Sequence, residues 1–353
     1  MSITDQITRL QNAKASIKTS IENKGVTVPE NTKLDGYPAL IDNIQTGSGE
    51  ETTSSYWPDF FEARTLKGVA LNSDTSYYET GVYLFAHMYI KDENTKNLIE
   101  NLDVSRMKYV DYMFCNFGNN DNGYCPANAI NNLDLTKWDT SKFTSIVHIF
   151  DYCKLDYLNI SGWDLSSLPW YIGSCSYAFY HSEIKEVNMS NCNTSTVQNF
   201  SNFVSQATEL IFIDMTGCDT SAATNMNNMF SYSSKLTTIT GELDLSNLTN
   251  GFYPGAYSNP VYGCSALETL YLKNIYKNCT MTNASKWSID LSDTAVKDEC
   301  LVYIINELPD LINDKGLTAT DKIVLTLPKT NTLTAEQVKV ATDKGWTVAN
   351  TTY

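Results

Sequence analysis

A six-residue phrase occurs seven times in the middle of this chain, as LDVSRM from Leu102, LDLTKW from Leu133, LNISGW from Leu158, VNMSNC from Val187, IDMTGC from Ile213, LDLSNL from Leu243 and LYLKNI from Leu270. The copies start 25 to 31 residues apart. A recurrence at that period constrains the fold to a solenoid, in which each copy is one coil stacked on the next. The first and third residues of each phrase are apolar and the second is mostly Asp or Asn, the alternation of a short strand with one buried face. Seven such strands predict a parallel ladder whose outward row is Asp103, Asp134, Asn159, Asn188, Asp214, Asp244 and Tyr271. The Ser or Thr that follows, as in Ser105, Thr136, Ser161, Ser190, Thr216 and Ser246, fits a turn in which a hydroxyl bonds to local backbone.

A second element follows most strands: YMFCNF from Tyr112, HIFDYC from His148, YAFYHS from Tyr177, FSNFV from Phe200 and NNMFSY from Asn227. Its aromatic and Met or Ile residues read as a ledge of core side chains filling the other side of the coil. The alternative is a surface stack for a carbohydrate or cofactor.

The stretches WDTSKFTSIVHIFDYCKLDYLNISGWDLSS, from Trp138, and GCDTSAATNMNNMFSYSSKLTTI, from Gly217, resemble the BspA-like leucine-rich repeat family of bacterial and phage surface proteins. The resemblance runs from about Leu98 to Ile275. It implies an α/β, leucine-rich-repeat-like solenoid with a parallel β ladder, used for adhesion or display, and it does not imply an enzyme. The usual Trp is replaced at Met107, Cys192, Cys218 and Leu248.

The ends differ from the body. Ile3, Ile7, Leu10, Ile17 and Ile21 recur at helical spacing, Ser2 can cap the start and Gly25 stops the run, predicting an amphipathic helix over Ile3 to Lys24. A second short helix is expected over Tyr37 to Ile44. The segment IKTSIENKGVTVPENTKLDGYPALIDNI, from Ile17, resembles the amino-terminal module of many tailed-phage structural and fibre-like proteins of gut bacteria. That resemblance implies virion attachment or oligomerisation. Residues 1–45 are therefore read as an anchor, residues 46–55 (TGSGEETTSS) as a linker, and residues 56–97 as a cap on the first coil. The solenoid spans residues 98–290. Residues 291–353 form an α/β carboxy-terminal cap, with a strand at Ile289 and Leu291 leading into it, a helix over Ala295 to Leu311 interrupted near Pro309, and then strand, helix and strand. In that final helix Thr334 is the expected cap and Gly345 the stop.

Charge narrows the partners. Lys and Arg number 25 against 40 Asp and Glu, a net charge of -15 with no basic cluster, so nucleic acid and anionic lipid are not expected ligands. No apolar run approaches a membrane span, and the amino terminus lacks the pattern of a signal peptide, so neither membrane insertion nor standard secretion is expected. The nine cysteines form no pair-and-pair motif, and reduced, buried thiols are the expectation, with no metal or cofactor. Cys192 and Cys218 stand where other copies have Trp138 and Trp163, which points to packing. The three histidines, His87, His148 and His181, read as structural or surface groups. No GxSxG, HExxH or phosphate-loop motif is present. Asp103, Asp134, Asp214 and Asp244 share the predicted outward row, where a glycoside hydrolase would need its acid and base close together. The Asp121 to Gly123 DNxG is too fragmentary for a calcium loop.

The surviving reading is a non-enzymatic structural protein of a tailed-phage virion: a fibre, spike or capsid decoration, assembled in the host cytoplasm. Other virion proteins and a host-surface polysaccharide or protein are its expected partners, and a homo-oligomer, commonly a trimer in fibres, its expected state. The contact surface is read as the outward row together with Tyr253 and Tyr257; Trp138 and Trp163 serve there or in the core. A bacterial surface adhesin and a polysaccharide-degrading enzyme are the alternatives.

Overall fold

In a computed structural model of the protein, described for residues 18, 22, 27–29, 80–118, 129–169, 175–249, 258–280, 287–317 and 322–351, the repeats form the coils of a parallel β-solenoid. The chain divides into two units, Met1–Tyr56 and Trp57–Tyr353. In the first, Lys18 and Glu22 are helical, and their side chains meet one turn apart at 3.7 Å, inside the helix expected over Ile3 to Lys24. Ile3, Ile7, Leu10, Ile17 and Ile21 lie outside the described residues, as do Tyr253, Tyr257, Cys125, the 46–55 linker and the DNxG segment.

In the second unit six strands pair in chain order, all parallel: β1 (Asn132–Asp134), β2 (Tyr157–Asn159), β3 (Glu186–Asn188), β4 (Phe212–Asp214), β5 (Thr238–Asp244) and β6 (Thr269–Lys273). In β1 to β4 the central residue is the first of the phrase: Leu133, Leu158, Val187 and Ile213 are buried and in register. The third residue of the phrase, as in Leu135, Ile160 and Met189, is also buried and begins the turn out of the sheet. One apolar core runs continuously through the unit.

Three expectations are corrected. The phrase at Leu102 forms no strand; helix α1 (Glu93–Glu100), capped by Asp92 accepting the Thr95 amide at 2.8 Å, precedes it and occupies the edge beside β1. Glu100 Oε1 there accepts the Asp134 amide at 2.9 Å, satisfying an edge donor that a further strand would otherwise take. Second, Asp244 is buried, at 7% exposure, and not part of an exposed row. Third, Tyr271 is out of register with the Asp and Asn row: Asp244 pairs with Lys273, and Tyr271 with Glu242. The cause is a bulge in β5 between Thr238 and Glu242, which also accounts for the long interval from Ile213 to Leu243. Gly241 sits in it at φ 84°, where a Cβ would stand 2.7 Å from the Met215 carbonyl oxygen.

The far edge is closed by the α/β cap. Ala295 and Lys297 donate to the Leu267 and Glu268 carbonyls, each at 3.0 Å, and Glu307 Oε2 accepts the Asn274 amide at 2.8 Å. The cap holds a second parallel sheet of β7 (Ile289–Asp290), β8 (Val324–Thr326) and β9 (Thr347–Ala349), with α2 (Asp298–Glu307) and α3 (Ala335–Asp343). The helix expected to reach Leu311 ends at Glu307, because the residue before Pro309 is pushed out of helical geometry. Thr334 and Gln337 form a reciprocal capping box on α3, and Gly345 follows it at φ 85°.

Candidate functional site

The predicted row on the strand side is made by local turn chemistry. Asp103, Asp134, Asn159, Asn188, Asp214 and Asp244 each accept, through Oδ1, the amide of the residue two further on, at 2.9 to 3.1 Å. These are Asx turns, so the acidic or amide side chain, rather than the hydroxyl of Ser105 or its counterparts, supplies the backbone partner. Asp103 is accordingly held below the usual carboxylate range by hydrogen bonds from the Ser105 hydroxyl and amide. Asp103 and Asp134 are exposed; Asn159, Asn188, Asp214 and Tyr271 are half-buried. In register Asp134 faces Asn159, Asn159 faces Asn188, Asn188 faces Asp214 and Asp214 faces Thr240, so no two carboxylates are rung neighbours between β1 and β5. Ion pairs between coils flank the strands: Lys154 with Glu183 at 3.2 Å, Asp156 with Lys185 at 2.6 Å, and Glu209 with Lys235 at 2.7 Å.

Trp138 and Trp163, left open between contact and core, are core residues at 4% and 1% exposure. Their indole Nε1 groups donate to the Ile99 and Leu135 carbonyls at 2.9 and 3.0 Å. Cys192 and Cys218 repeat this bond with Sγ, donating to Ile160 and Met189 at 3.2 and 3.1 Å. Trp and Cys exchange along this column because both are apolar side chains with a donor that reaches the preceding coil.

The ledge differs most from its expected role. It is a second backbone ladder: Phe85 donates to Met113, Phe114 to Ile149, Phe150 to Ala178, Phe179 to Phe203, Val204 to Met229 and Phe230 to Pro260, at 2.7 to 2.8 Å. The register shows that Thr80 to Met88 already forms a rung of it, one coil before the first phrase. Phe85, Phe114, Phe150 and Phe179 stack inward at centroid separations of 5.0, 5.2 and 5.0 Å, buried as expected. A parallel column points outward: Tyr83, Tyr112, His148 and Tyr177 stack at 5.0, 4.7 and 5.0 Å, with planes within 14° of parallel. Beside it Tyr152 stacks on His181 at 4.9 Å. Tyr83 is 53% and Tyr152 45% exposed.

These outward residues occupy left-handed backbone. Tyr83, Tyr112, His148, Tyr177, Asn202 and Asn228, and four residues on His87, Asn116, Tyr152, His181, Gln206 and Tyr232, all have φ between 53° and 63°. Each ledge from Tyr83 to Tyr232 therefore makes two turns at positive φ, and the last ledge keeps only the second, at Gly263 with φ 72°. A bulky residue there costs about 1–2 kcal/mol over glycine, and ring stacking between coils offsets part of it, at about 0.5–1.5 kcal/mol per pair. Sequence reading placed all the ledge aromatics together; the separating signal is the four-residue interval between positions filled by Asn, Gln or Gly in other coils.

At the centre of the column His148 Nδ1 lies 2.8 Å from Asp151 Oδ2. Asp151 is 6% exposed, and its Oδ1 meets no hydrogen-bond partner. Burial pushes the Asp151 carboxyl above its ordinary value, opposed by His148. The eight described cysteines are free thiols, six of them buried. Among the described residues no group of three or more His, Cys, Asp or Glu is placed to hold a metal ion, and no helix is long and apolar enough to cross a membrane.

No curated protein matches the chain, and no solved structure does. A family described as "Mycoplasma protein of unknown function, DUF285" matches residues 60–170 and 159–253. The match and the parallel solenoid are compatible with a BspA-like repeat body. As these segments cover more than half of the 353 residues and take in β1 to β5, the chain belongs to the DUF285 family.

Proposed function

We propose that this chain is a non-enzymatic structural protein of a tailed-phage virion, a fibre, spike or capsid decoration, whose repeat body presents a recognition surface. The observation that carries the display reading is register: one outward position holds Tyr83, Tyr112, His148, Tyr177, Asn202 and Asn228 in successive coils on an unbroken backbone ladder. Such a scaffold lets the surface vary coil by coil while its hydrogen bonds stay the same. The virion assignment rests on the phage-like sequence of the first 45 residues, which would attach the body to other virion proteins and hold copies together as a homo-oligomer.

Immuno-electron microscopy of phage particles from the source culture, with antibody against residues 80–351, tests this reading. Discrete label on heads or tails is the expected result. Bare particles with labelled host envelopes would replace it with a bacterial surface adhesin.

A further inference from the structure

The outward ledge positions differ from the rest of the surface in charge. From Val82 to Gly263, among the described residues, they hold no Lys, Arg or Glu, and their two carboxylates are engaged. Asp111 Oδ1 accepts the Ser145 hydroxyl and the Val147 amide, and Asp151 is buried against His148. In a chain of net charge -15, whose inter-coil ion pairs begin just past the ledge at Lys154 and Glu183, this is a stripe without cations, made mostly of phenol, imidazole, amide and hydroxyl groups.

Ring geometry adds a second constraint. Neighbouring coils are about 4.8 Å apart, whereas aromatic carbons touch at about 3.5–4.0 Å. Nearly parallel rings with centroids 4.7 to 5.0 Å apart therefore make contact by tilting and sliding, as overlapping shingles. Each exposes a strip of its face and its polar edge once per coil. The surface repeats at a fixed pitch, lacks the cations a polyanion needs, and carries too many polar groups for an apolar helix.

We propose that this stripe, centred on Tyr112, His148 and Tyr177 and flanked by Tyr152 and His181, binds a neutral linear polysaccharide lying across the coils, about one sugar unit per coil. Apolar ring faces of the sugars rest on the exposed aromatic strips, and their hydroxyls bond to the phenols and imidazoles. The inference rests on the display reading and names the ligand class and face it would use.

Affinity electrophoresis of the full chain in native gels containing hydroxyethylcellulose, glucomannan or dextran, with alginate as the charged comparison, tests it. Retardation is expected in at least one neutral gel and not in alginate. The variant Tyr112→Asn/His148→Asn/Tyr177→Asn should bind at least ten-fold more weakly, while Tyr157→Asn on the strand side should bind as the parent does. Asparagine suits this test because Asn202 and Asn228 already hold the same position and backbone conformation, and unchanged circular dichroism and melting would confirm that the variant is folded. Retardation by none of the three neutral polymers, by alginate alone, or undiminished in the triple variant would overturn the proposal. Loss in Tyr157→Asn instead would also overturn it, moving recognition to the strand side. None of these outcomes alters where antibody labels the particle, so the two readings fail separately.

Discussion

A carbonyl oxygen has two lone pairs, and the inner column of this solenoid uses both. Leu135 O accepts the Trp138 amide within its own coil at 3.1 Å and the Trp163 indole of the next at 3.0 Å; Ile160 O does the same with the Trp163 amide and the Cys192 thiol. Trp163→Phe keeps a large apolar ring and removes one of these donors, so it should lower unfolding free energy by about 0.5–1.5 kcal/mol, read from urea titration. Asp151 sets a pH dependence. Its carboxyl is raised by burial, so its contribution to stability is complete below the unfolded carboxylate value of about 3.9 and is lost as pH rises toward its folded value. Asp103, Asp164 and Asp219, held low chiefly by hydrogen bonds from Ser105, Ser166 and Ser221, act in the opposite sense and lose their contribution in acid. The Asp151→Asn variant should therefore gain stability relative to the parent as pH rises above the unfolded carboxylate value of about 3.9. A variant that instead loses stability relative to the parent as pH rises, in parallel urea titrations, would contradict the assignment.

At the scale of elements, an open sheet must close its edges, and this one does so at both ends with a glutamate on the last residue of a helix. Glu100 of α1 takes an amide from Asp134, and Glu307 of α2 takes one from Asn274. Replacing Glu100 by Ala should cost about 1.5–3 kcal/mol and raise self-association, measurable by urea unfolding and light scattering. This closure was not legible in the sequence, because a glutamate two residues before LDVSRM carries no mark of what it will face. The strands were legible, since a three-residue alternation recurring in register leaves one solution. The strand expected at Leu102 failed for the same reason: periodicity identifies a coil but not whether a neighbour exists to pair with it. The bulge at Gly241 was hidden likewise, for the phrase at Leu243 looks regular while its register has already slipped. Side-chain direction on the ledge was the least legible, because core Phe114 and surface Tyr112 stand two residues apart in one aromatic run.

At the scale of the molecule, the second unit holds its own core and both of its edge seals. Removing residues 1–56 should leave its thermal transition within a few degrees of that of the full chain, measured by circular dichroism; a loss of the cooperative transition would show that the first unit is needed for folding. The two glutamate seals also bear on how such a protein changes over time. Glu100 and Glu307 each bond at an outermost coil, and Tyr303 of α2 reaches back only as far as Glu242 in β5, so the coils of β2 to β4 resemble pages between covers. Adding or removing one whole page alters neither cover and shifts one end by about 4.8 Å. Length is thus a dial that turns in steps of one coil without renegotiating either end.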